Sequence, residues 1–206
     1  MNDISAVIIA NGNYPTHRIP LSAIENARYI ICCDGAADHF IAMGGIPDAI
    51  VGDCDSISEE NRRRFAPILH PNPEQETNDL TKSVKFCAQQ GKTDISIVAA
   101  TGRRESHTIG NISLLAEYMR INGVKVKMIT DYGTLVPIDS TTEFESYPGQ
   151  QVSFFCIDPK PITLKGLKYP LNNQILTNWW QGTLNESEGE KFVVETEGRV
   201  IVFREF

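Results

Sequence analysis

Three acidic residues stand where short apolar runs give way to polar ones, Asp34 in CDGAADHF and Asp53 and Asp55 in GDCDS, and a fourth, Asp79, stands at a helix entry in QETNDLTK. Carboxylates two residues apart on an extended chain point to the same side. Such a pair suits Mg²⁺, a hard cation that takes a few carboxylates together with waters and phosphate oxygens. Asp34 precedes Gly35, which lets a ligand approach the backbone closely. QETNDLTK places Gln75, Asn78, Asp79 and Lys82 at a helix entry. There Asp79 would join the carboxylates and Lys82 would meet a phosphate. The structural alternative has Asp53 or Asp55 capping a helix at SEENRRRF, Asn78 capping the next helix, and Asp79 with Lys82 as an i,i+3 surface pair.

A further group lies in TGRRESHTIGN, where Thr101 and Gly102 lead through Arg103 and Arg104 into a helical pattern. The unpaired N–H groups of a helix start, flanked by arginines, form a ready anion site. His107 and Asn111 are four apart and share a face, although a single helical histidine also serves as a cap or core residue. In NQILTNWWQG, Trp179 and Trp180 face opposite sides if the segment is extended. One then belongs to the core, and the other could stack on a flat or cationic heterocycle or fill a subunit interface. Two familiar phosphate motifs are absent. The GKT of QQGKT has Phe86 where a P-loop needs its first glycine, and no GxGxxG follows the first apolar run.

The elements that must position these residues change character along the chain. AVIIANG, YIICCDG, AIVGDCDS, PILHPN, DISIVAATG and VKVKMITD read as strands. Amphipathic stretches lie between them, clearest in NDLTKSVKFCAQQG and HTIGNISLLAEYMRING. That alternation predicts an α/β domain, a parallel sheet covered by helices, over residues 1–132. Ligands of such sheets collect at the carboxyl ends of the strands. From residue 133 to 206 the segments GTLVPIDSTTEFES, QQVSFFCID, PITLKGLKY, NQILTNWW, KFVVETEG and RVIVFREF are short, β-branched and aromatic. They predict a small antiparallel β-sandwich or barrel.

Composition narrows the partners. With 206 residues, 41% of them hydrophobic, the chain can fill a core. A net charge of −7 disfavours a nonspecific nucleic-acid or membrane-surface binder, so an anionic ligand needs local cations or metal. MNDISAVIIANGN lacks a basic leader region and no apolar run reaches membrane-span length, which predicts a cytoplasmic protein. Cys32, Cys33, Cys54, Cys87 and Cys156 show no CxxC spacing and read as reduced, mostly buried thiols.

In order, CDGAADHF, GDCDS, QETNDLTK and TGRRESHTIGN resemble the successive motifs of the thiamine pyrophosphokinase family. A β-rich C-terminal region follows as in that family, and Thr177-Asn178 is similar to its Ser-Asn element. The resemblance implies pyrophosphoryl transfer from ATP to thiamine, giving thiamine diphosphate and AMP, with Mg²⁺ as cofactor. It makes Asp34, Asp53, Asp55 and Asp79 the catalytic and metal-binding group, and Gly35, Gln75, Lys82, Thr101, Gly102, Arg104, His107 and Asn111 the ATP-binding residues. Thr177, Asn178, Trp179 and Trp180 would bind thiamine, in a homodimer with shared active sites. One departure stands out. Where the family reads Gly-Gly-Arg-x-Asp-His, this chain has Arg103 for the second glycine and Ser106 for the aspartate. Glu105 does not compensate, because adjacent helical residues project about 100° apart. Three other readings remain: a metal-dependent DxD nucleotide-sugar glycosyltransferase, a phosphatase with Asp53 as nucleophile, and a non-catalytic nucleotide- or thiamine-binding protein.

Overall fold

The computed structural model describes residues 5–206, and the chain divides into two compact units between Asp131 and Tyr132. The expectation of a leader-free N-terminus rests partly on residues 1–4, which lie outside the described residues. No helix among the described residues is long and apolar enough to cross a membrane.

The described residues of the first unit hold six parallel strands: β1 (Ser5–Ile9), β2 (Ile30–Cys33), β3 (Ala49–Gly52), β4 (Leu69–Pro71), β5 (Asp94–Val98) and β6 (Lys125–Ile129). Their spatial order is β6-β5-β1-β2-β3-β4. The chain runs outward from β1 to β4, then returns to the other side of β1 for β5. The β1/β5 boundary is therefore the point where strand order reverses, and there a crevice opens at the carboxyl edge.

Helices cover both faces, which is why these strands read as continuous apolar runs and not as alternating ones. Val7, Ile9, Cys32, Ile50 and Val98 form one core with Ile24 of α1 (Arg18–Glu25) and Ala36, Ala37 and Phe40 of α2 (Ala36–Ala42). The α4 helix (Asp79–Gln89) packs on β1, β2 and β3, burying Leu80, Val84 and Cys87, and α5 (Glu105–Tyr118) packs on β6. The α3 helix (Glu59–Arg64) buries none of its residues and is capped by Ser58, whose side chain accepts from Asn61 N. Asp131 closes the loop after β1 by accepting from Thr16 N and Oγ1 and from His17 N.

The second unit is a β-sandwich. β7 (Gly133–Ile138), β9 (Gln151–Cys156), β12 (Asn185–Glu186) and β14 (Val200–Glu205) run antiparallel in the order β12-β9-β14-β7. β8 (Thr142–Glu145), β10 (Ile162–Lys165), β11 (Leu171–Gln174) and β13 (Lys191–Thr196) form the order β11-β10-β13-β8. Alternate residues of both sheets fill the core, where Phe192 stacks on Phe144 at 5.1 Å and meets Phe154 edge-on at 6.1 Å.

The structure corrects two expectations in this unit. NQILTNWW is not one strand: β11 stops at Gln174, and Trp179–Gly182 form a 3₁₀ turn. Gln181 closes that turn by accepting from Thr177 N and Asn178 N, so short-range hydrogen bonding overrides the strand propensity of the tryptophans. Nor does either tryptophan reach the core. Trp179 is 41% exposed and Trp180 is 73% exposed. Trp179 packs edge-on against Phe155 and donates Nε1–H to Cys156 O.

Candidate active site

The carboxylates converge through the shape of the strand ends. Asp34 follows β2 in a left-handed conformation, φ 39°, with its N–H donating to Val51 O. This turn folds its side chain inward until the residue is 3% exposed. Oδ2 accepts from Ser56 N at 3.0 Å, while Oδ1 is buried with no partner among the described residues. One oxygen from each of Asp34, Asp53 and Asp55 lies within 4.8 Å of the others.

That crowding shows in their acidity. Burial pushes the Asp34 carboxyl above its ordinary value, and the charges of Asp79 and Asp53 add to the rise against the hydrogen bonds from Ser56. Burial opposes ionisation of Asp53 as well, but the Asp55 N–H, the Gln75 amide and the charge of Lys82 hold its carboxyl below the usual range. The helix-capping reading of the DCDS segment fails, since Ser58 caps α3.

Asp79 opens α4 after Asn78, whose side chain caps the helix by accepting from Thr81 N. Its Oδ1 lies 3.2 Å from Lys82 Nζ. This is no surface pair, because the Lys82 side chain is only 3% exposed. Asp79 comes close to Asp34 over Gly52: a Cβ on Gly52 would lie 2.8 Å from Asp34 Cβ and 3.1 Å from Asp79 Cγ. The carboxylates therefore approach one another because residue 52 has no side chain.

A cleft of about 290 Å³ opens beside this group, and its lining includes Asp34, Ser56, Asn78 and Asp79 together with Arg103, Arg104, His107 and Asn111. Asn111 donates to Ala100 O and accepts from Asn78 Nδ2, tying the starts of α4 and α5 together. Arg104 is the N-cap residue of α5 without a side-chain cap bond, so the helix start remains open toward an anion. His107 lies exposed in the first turn and does not cap the helix. Lys82 instead lines a neighbouring groove with His70, Lys85 and Phe86. Gly35 and Thr101 border the cleft residues in sequence, and Ser106 is exposed at the second position of α5. Thr177, Asn178, Trp179 and Trp180 belong to the second unit, all exposed.

Sequence reasoning missed the cleft wall formed by Asn11 and Gly12. Gly12 N donates to Ala99 O at 2.7 Å, and a Cβ there would lie 2.4 Å from Thr101 O. The NGN triplet after the first strand was the available signal, but its use depends on β1 lying next to β5. Gly52 and the Ser56 N–H were likewise missed, because neither carries an isolated signature.

Fold and site together define the class: a transferase of the kinase type, in which clustered carboxylates and cations share a cleft at the carboxyl edge of a parallel sheet. The family model of the thiamin pyrophosphokinase catalytic domain matches residues 21–128, and that of the thiamin pyrophosphokinase substrate-binding domain matches residues 133–203. A thiamine pyrophosphokinase of Bacillus subtilis is 34% identical over 181 residues, covering 82% of this chain and 83% of that protein. The crystal structure of a thiamine pyrophosphokinase from the same organism superposes with a TM-score of 0.79 at 27% identity over 98% of each chain. Yeast thiamin pyrophosphokinase, at 16% identity, shares the fold with a TM-score of 0.83 over 100% of this chain and 87% of that one. The chain belongs to the thiamin pyrophosphokinase family.

Proposed function

We propose that this enzyme transfers the pyrophosphoryl group of ATP to the hydroxyethyl group of thiamine, releasing AMP and thiamine diphosphate. The observation that carries the reading is the unpartnered, buried Asp34 Oδ1 beside Asp53 and Asp55, facing a cleft with two arginines. An orphaned oxygen among like charges fits a hard divalent cation. Asp34, Asp53 and Asp55, with Asp79 beside them, would hold Mg²⁺, which supplies charge neutralisation for the polyphosphate.

The remaining work is positioning and charge. Arg104, the open start of α5, His107 and Asn111 bind the nucleotide with Gly35, Gln75, Thr101 and Gly102, and Lys82 holds Asp79 in place while adding positive charge. The thiamine hydroxyl attacks the β-phosphorus, AMP departs, and Asp55 or Asp79 accepts the hydroxyl proton. On the thiamine side, Thr177 and Asn178 offer polar contacts, and the rings of Trp179 and Trp180 suit a cationic heterocycle.

Incubation with ATP, Mg²⁺ and thiamine tests this directly. AMP and thiamine diphosphate are expected in equal amounts; ADP, free phosphate, sugar transfer from a nucleotide sugar, or no turnover would overturn it. We further propose a cytoplasmic homodimer with shared active sites. Co-expressed Asp55→Ala and Asn178→Ala chains, each inactive alone, should then recover about a quarter of wild-type activity through mixed dimers. No recovery from demonstrated mixed dimers would mean that each subunit builds its own site.

A further inference from the structure

Arg103 departs from what backbone sterics prefer. It sits at φ 57°, directly after Gly102 at φ 78°, so two successive left-handed residues turn the chain from the end of β5 into α5. A side chain at such a position is strained, and glycine is the default occupant. What the arginine does in return is visible across the reversal point of the sheet. Its Nη1 donates to Asn11 Oδ1 at 2.8 Å, and the residue lines the same cleft as Asp34, Ser56 and Asp79. An exposed hydrogen bond to a neutral amide is weak compensation for strained backbone. Among the described residues no carboxylate pairs with the guanidinium, and this bond engages one of its five N–H donors.

We propose that Arg103 is a substrate-contacting residue, a second phosphate-binding arginine beside Arg104, and that Asn11 is the residue that positions it. The planar guanidinium fork matches two phosphate oxygens, whereas Asn11 fixes its direction through the loop after β1. With Asp34 and Asp79 lining the same cleft, the polyphosphate is the part of the nucleotide that can meet both the arginine and a cation on the carboxylates. This inference rests on the ATP-dependent reading above. It extends that reading to a residue standing where the resembling motif carries glycine.

Calorimetric titration of wild type, Arg103→Gly, Arg103→Lys and Asn11→Ala separates the two. The probes are a non-hydrolysable ATP analogue and inorganic tripolyphosphate, each with Mg²⁺, and AMP as a control. Arg103→Gly should bind both triphosphate probes about 10-fold more weakly, with AMP binding unchanged, as loss of a charge-assisted contact requires. Its Tm should stay level or rise by roughly a few degrees, because glycine relieves the left-handed strain. Arg103→Lys and Asn11→Ala should fall in between, one keeping charge without the fork and the other keeping the fork without its support.

Unchanged triphosphate affinity in Arg103→Gly overturns the proposal while leaving the function intact. So does a loss that extends equally to AMP, or a loss accompanied by a lower Tm, which would mark a structural role. Wild-type protein that binds neither triphosphate probe overturns the ATP reading and this inference with it.

Discussion

The carboxyl edge of the N-terminal sheet and the interior of the C-terminal sandwich treat polar groups in opposite ways. At the first, Asp34, Cys54, Ala99 and Arg103 all hold positive φ without being glycine, Asp34 Oδ1 is buried and unpartnered, and Lys82 is a buried cation beside Asp79. In the second, charges pair across strands near the surface, Lys165 with Glu195 and Lys191 with Glu143 and Glu145, around a phenylalanine core. Arg204 Nε, buried without a partner among the described residues, belongs to a guanidinium that donates to Glu145 O and lies 5.0 Å from the Phe144 ring centroid. A parallel sheet gathers its loops at one end, where strain and unsatisfied charge serve a ligand. A sandwich spends its alternate residues on mutual burial.

Substitutions that set stability against activity sharpen this contrast most. Asp53→Asn or Asp55→Asn should lower turnover by roughly 10²-fold or more with the fold intact, as loss of a preorganised electrostatic contact does. Asp34→Asn should lose as much activity yet melt a few degrees higher, roughly, without ligand. The sign follows from its raised carboxyl: a folded value above the unfolded one means that the ionised group destabilises the ligand-free protein at neutral pH, and the neutral amide removes that penalty. In the sandwich, Phe192→Ala should do the reverse, costing about 3–5 kcal/mol of stability through cavity formation. Thermal melts and steady-state assays on the same preparations decide the matter. Near-normal turnover in all three aspartate variants would remove the cluster from the mechanism.

A smaller effect is expected at Gly52. Gly52→Ala places a methyl group 2.8 Å from Asp34 Cβ and should reduce turnover by about 10-fold or more, since misplacing catalytic groups by an ångström is costly. Circular dichroism should remain native, and unaltered kinetics would show that the carboxylates do not need their close approach.

The mildest expectation concerns Ser106, exposed in the first turn of α5. Ser106→Asp restores the carboxylate of the resembling motif at a helix start, where an acid contributes about 0.3–1 kcal/mol. Activity should be kept or raised and Tm should rise slightly. Abolished turnover in a folded variant would show that the register assigned to TGRRESH is wrong.

Much of this protein was legible in its residues. Continuous apolar runs ending in aspartates predicted a parallel sheet with a polar carboxyl edge, because strands buried on both faces cannot alternate. Asn78 capped α4 as its type suggests, and the change to short β-branched segments near residue 132 coincides with the division between the compact units. What the residues could not convey is which strand ends meet. Asn11 and Gly12 became cleft residues only because β5 returns to the far side of β1, a choice of strand order that no local pattern encodes. For Asp79 and Lys82 a surface pair stayed open beside the phosphate-binding reading, because i,i+3 spacing reports a shared helix face and says nothing of what covers it; the Lys82 side chain is in fact buried. The tryptophans at 179 and 180 looked like strand residues until Gln181 drew its own backbone into a turn. Local preference sets the elements and their ends, whereas tertiary packing decides which of those ends share a site.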